Sequence, residues 1–159
     1  MLTAKGKYGL KAMIYLASLK PGATAHGSEI AKANNISKKF LDAILSELRK
    51  AGLVKSKRGP GGGYMVARSP QAIKVGLVIR TLDGPLAPIA CASRSAYRPC
   101  RDCKSVARCE VRRTMAQVRD ATASILDGLS IAEMIRSSEV ASQRSSRPPA
   151  IRRRPPIAA

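Results

Sequence analysis

A mainly α-helical fold with a small β-hairpin wing is predicted: a winged helix-turn-helix followed by a long C-terminal dimerisation helix. Three stretches of sequence point to it. SEIAKANNISKKFLDAILSELRKAGLV holds two helical periods separated by the polar break Asn34-Asn35. LVKSKRGPGGGYMVAR, which follows directly, sets a glycine-rich turn between two short strands. From about Cys109, Val111, Met115, Val118, Thr122 and Ile125 alternate spacings of four and three, the seam of a coiled-coil-like helix.

The first helix is expected from a Thr3 cap to about Leu19. Leu10, Met13, Ile14 and Ala17 form one apolar stripe, and Pro21-Gly22 ends it. Ser28 is expected to cap a short second helix carrying Ile30 and Ala31, which Asn34-Asn35 breaks. Ser37 caps the third, which buries Leu41, Ile44, Leu45 and Leu48 and stops before Gly52. Two helices across a tight polar break make a helix-turn-helix. The outer face of the second of these holds Lys38, Lys39, Asp42, Ser46 and Arg49. Cations suit phosphates or guanine, and a carboxylate accepts from cytosine N4. An ordinary helical hairpin with a solvated charged face is the plainer reading.

The hairpin weighs against it. Leu53 and Val54 open one strand, and Tyr64, Met65 and Val66 form the other. Lys55, Lys57 and Arg58 lead into Gly59-Pro60-Gly61-Gly62-Gly63, a turn able to adopt positive φ and approach a surface closely. No Lys-Ser/Thr follows the glycines, so it is not a phosphate-binding P-loop. A basic hairpin after a helix-turn-helix is a wing that lies along the phosphate backbone or minor groove.

Beyond Ser69-Pro70, Val75, Val78, Ile79 and Leu82 mark a short helix ended by Asp83-Gly84-Pro85. The proline-flanked cysteine segment is expected to be a loop. The long helix ends at Gly128, and SIAEMI offers one more turn or two. The long helix is expected to pair across a two-fold axis, against the alternative of packing on its own domain. From about Ser137 the chain is rich in Ser, Arg and Pro without apolar period, which predicts a disordered basic tail serving DNA affinity or solubility. The organisation is then 1–84 DNA-binding, 85–110 cysteine-rich sensor loop, 109–136 dimerisation helix and 137–159 tail.

Composition narrows the function. The net charge of +19 on 159 residues implies a polyanionic partner, nucleic acid in preference to an anionic membrane surface, and with the helix-turn-helix the expected partner is double-stranded promoter DNA. No apolar run reaches the ~20 residues of a membrane span. Lys20-Pro21 interrupts the only segment resembling a secretory leader, which predicts a cytoplasmic protein. The scarcity of aromatic residues leaves no stacking platform for unpaired bases, against an RNA-binding role. No catalytic constellation is evident, so an enzyme is not expected. His26, the single histidine, is read as a surface loop residue.

All four cysteines, Cys91, Cys100, Cys103 and Cys109, lie in IACASRSAYRPCRDCKSVARCE. In a reducing compartment clustered thiols more often bind metal or sense redox state than form stable disulfides. An iron–sulfur cluster, a cluster-free thiol switch, a zinc site and inert cysteines all remain open, with the first favoured. Zinc knuckles usually pair two C-x-x-C motifs, and only Cys100/Cys103 is of that form. Arg98, Arg101, Lys104 and Arg108 are expected to lower the thiol pKa values.

LTAKGKYGLKAMIYLA, ISKKFLDAILSELRKAGLVKSKRGPGGGY and a cysteine loop leading into a long helix resemble the Rrf-two family of bacterial transcription regulators, over roughly residues 1–135. That family includes the iron–sulfur cluster assembly regulator, the nitric-oxide-sensing repressor and the rhizobial iron regulator. The resemblance implies a homodimeric winged helix-turn-helix whose DNA binding, typically repression, responds to an iron–sulfur cluster, 2Fe–2S or 4Fe–4S, beside the dimer helix. It implies DNA contacts from Ser28, from Ser37 and the face of the helix it caps, and from Lys57, Arg58, Gly59, Gly61, Gly62, Gly63 and Tyr64 in the wing. Cys91, Cys103 and Cys109 look like the family's three cysteines. In the cluster assembly regulator a histidine three residues after the last cysteine is the fourth ligand. Here Arg112 holds that position, and Cys100 becomes the candidate. The carboxylate that the nitric-oxide sensor uses near its N-terminus has no counterpart in GKYGL.

Overall fold

The computed structural model describes residues 2–103 and 105–145. Six helices and one hairpin are present there: α1 Ala4–Ala17, α2 Gly27–Asn34, α3 Lys38–Lys50, β1 Val54–Lys57, β2 Gly63–Val66, α4 Val75–Asp83, α5 Glu110–Gly128 and α6 Ile131–Ser145. A 3₁₀ turn at Ala90–Ala92 interrupts the otherwise irregular cysteine segment.

Helix α1 starts where expected. Thr3 is extended, and its Oγ1 accepts from the Lys5 and Gly6 amides at 3.1 and 3.3 Å. Asp83, the last residue of α4, then grips the cap. Its Oδ2 accepts from the Thr3 backbone N–H at 2.9 Å, and its Oδ1 from the Thr3 hydroxyl at 2.5 Å. A carboxylate beside the free amides of a helix N-terminus is favourable. Gly6 and Gly9 allow α4 to come this near, because a Cβ on Gly9 would lie 2.0 Å from Leu82 Cδ1.

Helix α2 differs from expectation at its start. His26 is the cap, and Ser28 sits exposed in the first turn. Glu29 accepts from the His26 backbone N–H at 2.7 Å, so the acidic residue three places on decides the boundary. His26 is an exposed residue of the loop before α2, as expected, and it caps that helix. The helix ends at Asn35, in the left-handed region at φ 52°, which asparagine tolerates. Ser37 caps α3 by accepting from the Phe40 amide at 3.4 Å. At the far end Gly52 takes φ 69°. The Gly52 amide bonds the Arg49 carbonyl and the Leu53 amide the Leu48 carbonyl, a Schellman closure.

The core lies between α1, α3 and α4. Met13, Ile30, Leu41, Ile44, Leu45 and Leu48 are fully buried there, with Ile73, Val75 and Val78. Fully burying one such aliphatic side chain contributes about 1.5–3 kcal/mol. The hairpin pairs Val54 with Val66 and Lys57 with Gly63, antiparallel. Tyr64 also exchanges both backbone hydrogen bonds with Ala25, at 2.8 and 3.0 Å, which stitches the loop before α2 to the wing.

The C-terminal part departs most from expectation. A capping box starts α6: Ser130 and Glu133 bond reciprocally at 2.6–3.2 Å. The Ile131 amide bonds the Ile73 carbonyl, and Ile131 is wholly buried. The helix then continues to Ser145, well past the turn or two expected and nine residues into the 137–159 segment read as disordered. Once nucleated, a helix adds one hydrogen bond per residue, and no proline interrupts before Pro148. The expected disorder of residues 146–159 falls outside the described residues.

Candidate nucleic-acid interface and cysteine cluster

The outer face of α3 and the wing, expected to form one reading head, lie side by side. Lys39 and Arg49 are exposed on α3, Ser37 is exposed at its cap, and Ser46 is half-buried. Lys38 and Asp42 are bound to each other, Nζ to Oδ2 at 2.7 Å. The Asp42 carboxylate holds the Lys38 ammonium above its usual range. The two expected base readers therefore neutralise each other in the free protein.

Close packing joins helix to wing. A Cβ on Gly27 would stand 3.2 Å from Asp42 Oδ1 and 3.7 Å from the Tyr64 ring, so α2, α3 and β2 meet at this point. Arg49 reaches from the last turn of α3 to the Ser56 hydroxyl on β1, at 3.4 Å. Lys55, Lys57, Arg58 and Gly59 are exposed along the hairpin, as is Gly61 at its tip. Thr24 donates to the Gly61 carbonyl at 2.9 Å. Gly62 and Gly63 are required sterically. A Cβ on Gly62 would lie 2.6 Å from the Lys57 carbonyl oxygen. One on Gly63, at φ 144°, would lie as close to that of Ala25.

Cys103 and Cys109 bring two sulfurs together at the start of α5, with Cys100 nearby. Cys109 is its N-cap, accepting from the Arg112 amide at 3.4 Å. Cys103 Sγ lies 3.7 Å from Cys109 Sγ. Contact with Cys100, then with Cys109, pushes the Cys103 thiol up to about 12. This reverses the expectation that basic neighbours lower it: the neighbouring sulfurs outweigh the arginines, which are exposed and solvated. Lys104 lies outside the described residues. All four cysteines are free thiols. Cys91 is buried in the 3₁₀ turn and takes no part in the sulfur contacts. Among the described residues no three His, Cys, Asp or Glu side chains converge as ligands of a single metal ion.

Two arginines bolt the Cys91 turn to α5. Arg112 Nε donates to the Cys91 carbonyl at 2.9 Å, and Arg119 Nη1 donates to the Ala92 carbonyl. The sequence reading missed both roles. A signal existed: Arg112, Arg119 and Leu126 each follow a seam residue, and one residue turns about 100° around a helix. Among the described residues much of the seam is left exposed. Val111, Val118 and Ile125 are 63%, 43% and 68% exposed, Met115 and Thr122 are half-buried, and α5 buries no residue fully. Among the described residues no helix is long and apolar enough to cross a membrane.

Comparison with known proteins agrees with this architecture. A family model described as "Rrf2: Iron-dependent Transcriptional regulator" matches residues 2–137. An rrf2-like HTH-type regulator of Rhodobacter capsulatus is 38% identical over 146 residues, 90% of this chain and 97% of that protein. The HTH-type transcriptional regulator IscR of Aliivibrio salmonicida is 34% identical over 87% of this chain and 79% of its own. The structure of CymR, the global cysteine regulator of B. subtilis, superposes with a TM-score of 0.71 at 34% identity, covering 86% of this chain and 97% of CymR. With its helix-turn-helix, its glycine wing and a match running almost to the end of the described residues, the chain belongs to the Rrf2 family of transcriptional regulators.

Proposed function

We propose that this chain is a cytoplasmic, homodimeric, sequence-specific repressor that binds pseudo-palindromic promoter DNA, with its affinity set by an iron–sulfur cluster on the cysteine segment. The observation that carries the reading is the sulfur cluster at the N-cap of α5, the same helix that bears the free apolar seam.

The donor set fits such a group. Adjacent thiols such as Cys103 and Cys109 repel one another once ionised, and a cationic centre beside them relieves that repulsion. A single tetrahedral zinc needs all its sulfurs at one point, and they do not converge so. A polynuclear cluster takes its thiolates on different irons and tolerates a wider set. Cys103, Cys109 and Cys91 would hold it, with Cys100 as the fourth donor. When bound, the cluster supplies a centre whose charge and integrity follow iron supply or oxidants.

The chain's own residues do the rest. Cys109 caps α5, and Arg112 and Arg119 hold the Cys91 turn to its side. A change at the sulfurs is thus delivered to α5, and pairing of its seam would set the angle between two reading heads. In each head, α3 enters a major groove. Lys39, Ser46 and Arg49 face the bases, and Lys38 exchanges Asp42 for a phosphate. Lys57, Arg58 and Tyr64 follow the adjacent backbone or minor groove. Anaerobic purification with iron and sulfide assays, then promoter binding by loaded and stripped protein, tests the reading. Protein without iron or visible absorbance, or equal DNA affinity in both forms, would overturn it.

The Sγ–Sγ distance of 3.7 Å between Cys103 and Cys109 favours a second reading, a cluster-free thiol switch. A peroxide would take two electrons and two protons from these thiols, leaving a disulfide and water. Reversible loss of promoter binding in metal-free protein after mild peroxide treatment would select this reading.

A further inference from the structure

Two adjoining cavities, of about 180 and 230 Å³, lie between the end of α4, residues 85–98 and α5. Pro85, Ala87 and Ser93 line both. The first is bounded by Arg80, Arg94, Arg119, Asp120 and Asp127. The second is mainly apolar, walled by Pro88, Ile89, Ala90 and Ala96 with Arg98 beside them.

The charges already present restrict what fits. Arg80 holds Asp127 with two hydrogen bonds, at 2.7 and 2.8 Å. Asp120 receives two from Arg119, both 2.8 Å, and an ion pair from Arg94 at 3.0 Å. Three guanidiniums face two carboxylates, so one positive charge is left over. Arg94 is the freest of them, with 75% of its side chain exposed and one contact. Ser93 is 7% exposed. Its Oγ accepts from the Ala96 amide at 3.0 Å, and its hydroxyl proton has no acceptor among the described residues. A cation would meet carboxylates already engaged. A neutral apolar molecule would bury the Ser93 donor without a partner, which is costly, and leave the surplus charge unmatched.

We propose that these cavities bind a small organic carboxylate with a short apolar tail. Arg94 and the Ser93 hydroxyl take the carboxylate, and Pro88, Ile89 and Ala96 surround the tail. The occupant would sit on the segment two residues from Cys91, which Arg94 ties to Asp120 of α5, and so brace that segment whatever the cysteines carry. The site does not depend on an iron–sulfur cluster.

Isovalerate serves as probe in calorimetric titration of the full chain, beside isoamyl alcohol (tail without charge) and inorganic phosphate (charge without tail). Isovalerate should bind saturably, with a dissociation constant on the order of 1 mM or below, a range open to so small a ligand. The other two should bind at least about tenfold more weakly, as should isovalerate to Ser93→Ala or Arg94→Ala, each lacking one bond to a charged group. Arg94 is exposed enough that its replacement leaves the fold intact, and amide NMR shifts should concentrate at residues 93–96 and 119–127. Absence of saturable isovalerate binding, equal binding of the two controls, or no loss in either variant would overturn the proposal.

Discussion

Arg112 donates from Nε to the backbone carbonyl of Cys91 at 2.9 Å, so the turn carrying one cysteine is fastened to the helix capped by another. Arg112, a position from which no ligand was expected, therefore positions the cysteine segment. Arg112→Ala should lower stability by about 1–2 kcal/mol, read as a fall in Tm of roughly 2–8 °C. Iron retained on anaerobic purification should fall with it. An unchanged melting curve would show that the contact does not hold the turn.

Cys109 has two separable roles, helix cap and sulfur donor. Cys109→Ala should abolish iron binding and cost up to about 1 kcal/mol of cap stability. Cys109→Ser should recover the cap without the iron. Full iron stoichiometry in either variant would refute the ligand assignment.

Val118 and Ile125 of the seam are exposed, so charging them should disturb association and not the fold. Val118→Glu combined with Ile125→Glu should give monomers by sedimentation at micromolar concentration with unchanged far-UV circular dichroism. Dimers of undiminished stability would place the interface elsewhere.

Arg58 lies exposed on the wing, the element proposed to follow the phosphate backbone or minor groove. Arg58→Ala should weaken binding to all duplexes alike and reduce the slope of log affinity against log salt by about 1. A loss confined to one promoter sequence would make it a base reader.

Arg80 ties α4 to α5 through Asp127 and holds that carboxyl below its ordinary range. A depressed carboxylate contributes stability that is present above its unfolded pKa, about 4. That contribution is lost as pH falls through the lower folded value. Asp127→Asn should therefore show a shallower decline in Tm between neutral and acid pH than the parent chain. Parallel profiles would mean that the pair, half-exposed as it is, contributes nothing.

Much of the fold was legible because local rules decide it. Leu41, Ile44, Leu45 and Leu48 recur at helical spacing and are all buried. Gly52 and the wing glycines sit where positive φ or close approach demands them. The start of α2 was misplaced because Ser28 and His26 compete for the cap, and Glu29 settles the matter from inside the helix. The length of α6 was misjudged because its nucleus is anchored by Ile73 and Pro70, distant in sequence.

By itself, the sequence determined the element order, the helix-turn-helix, the glycine wing, the apolar period of α5 and the four clustered thiols. These follow from periodicity, caps and φ preferences, which act within a few residues. Only the tertiary structure decided which groups meet. It set Cys103 against Cys109 apart from Cys91, paired Lys38 with Asp42, and turned Arg112 and Arg119 onto the carbonyls of the cysteine turn. It also reversed the expected thiol acidity. Such contacts depend on distances and solvation between side chains from separate segments, and no local pattern of residues encodes them.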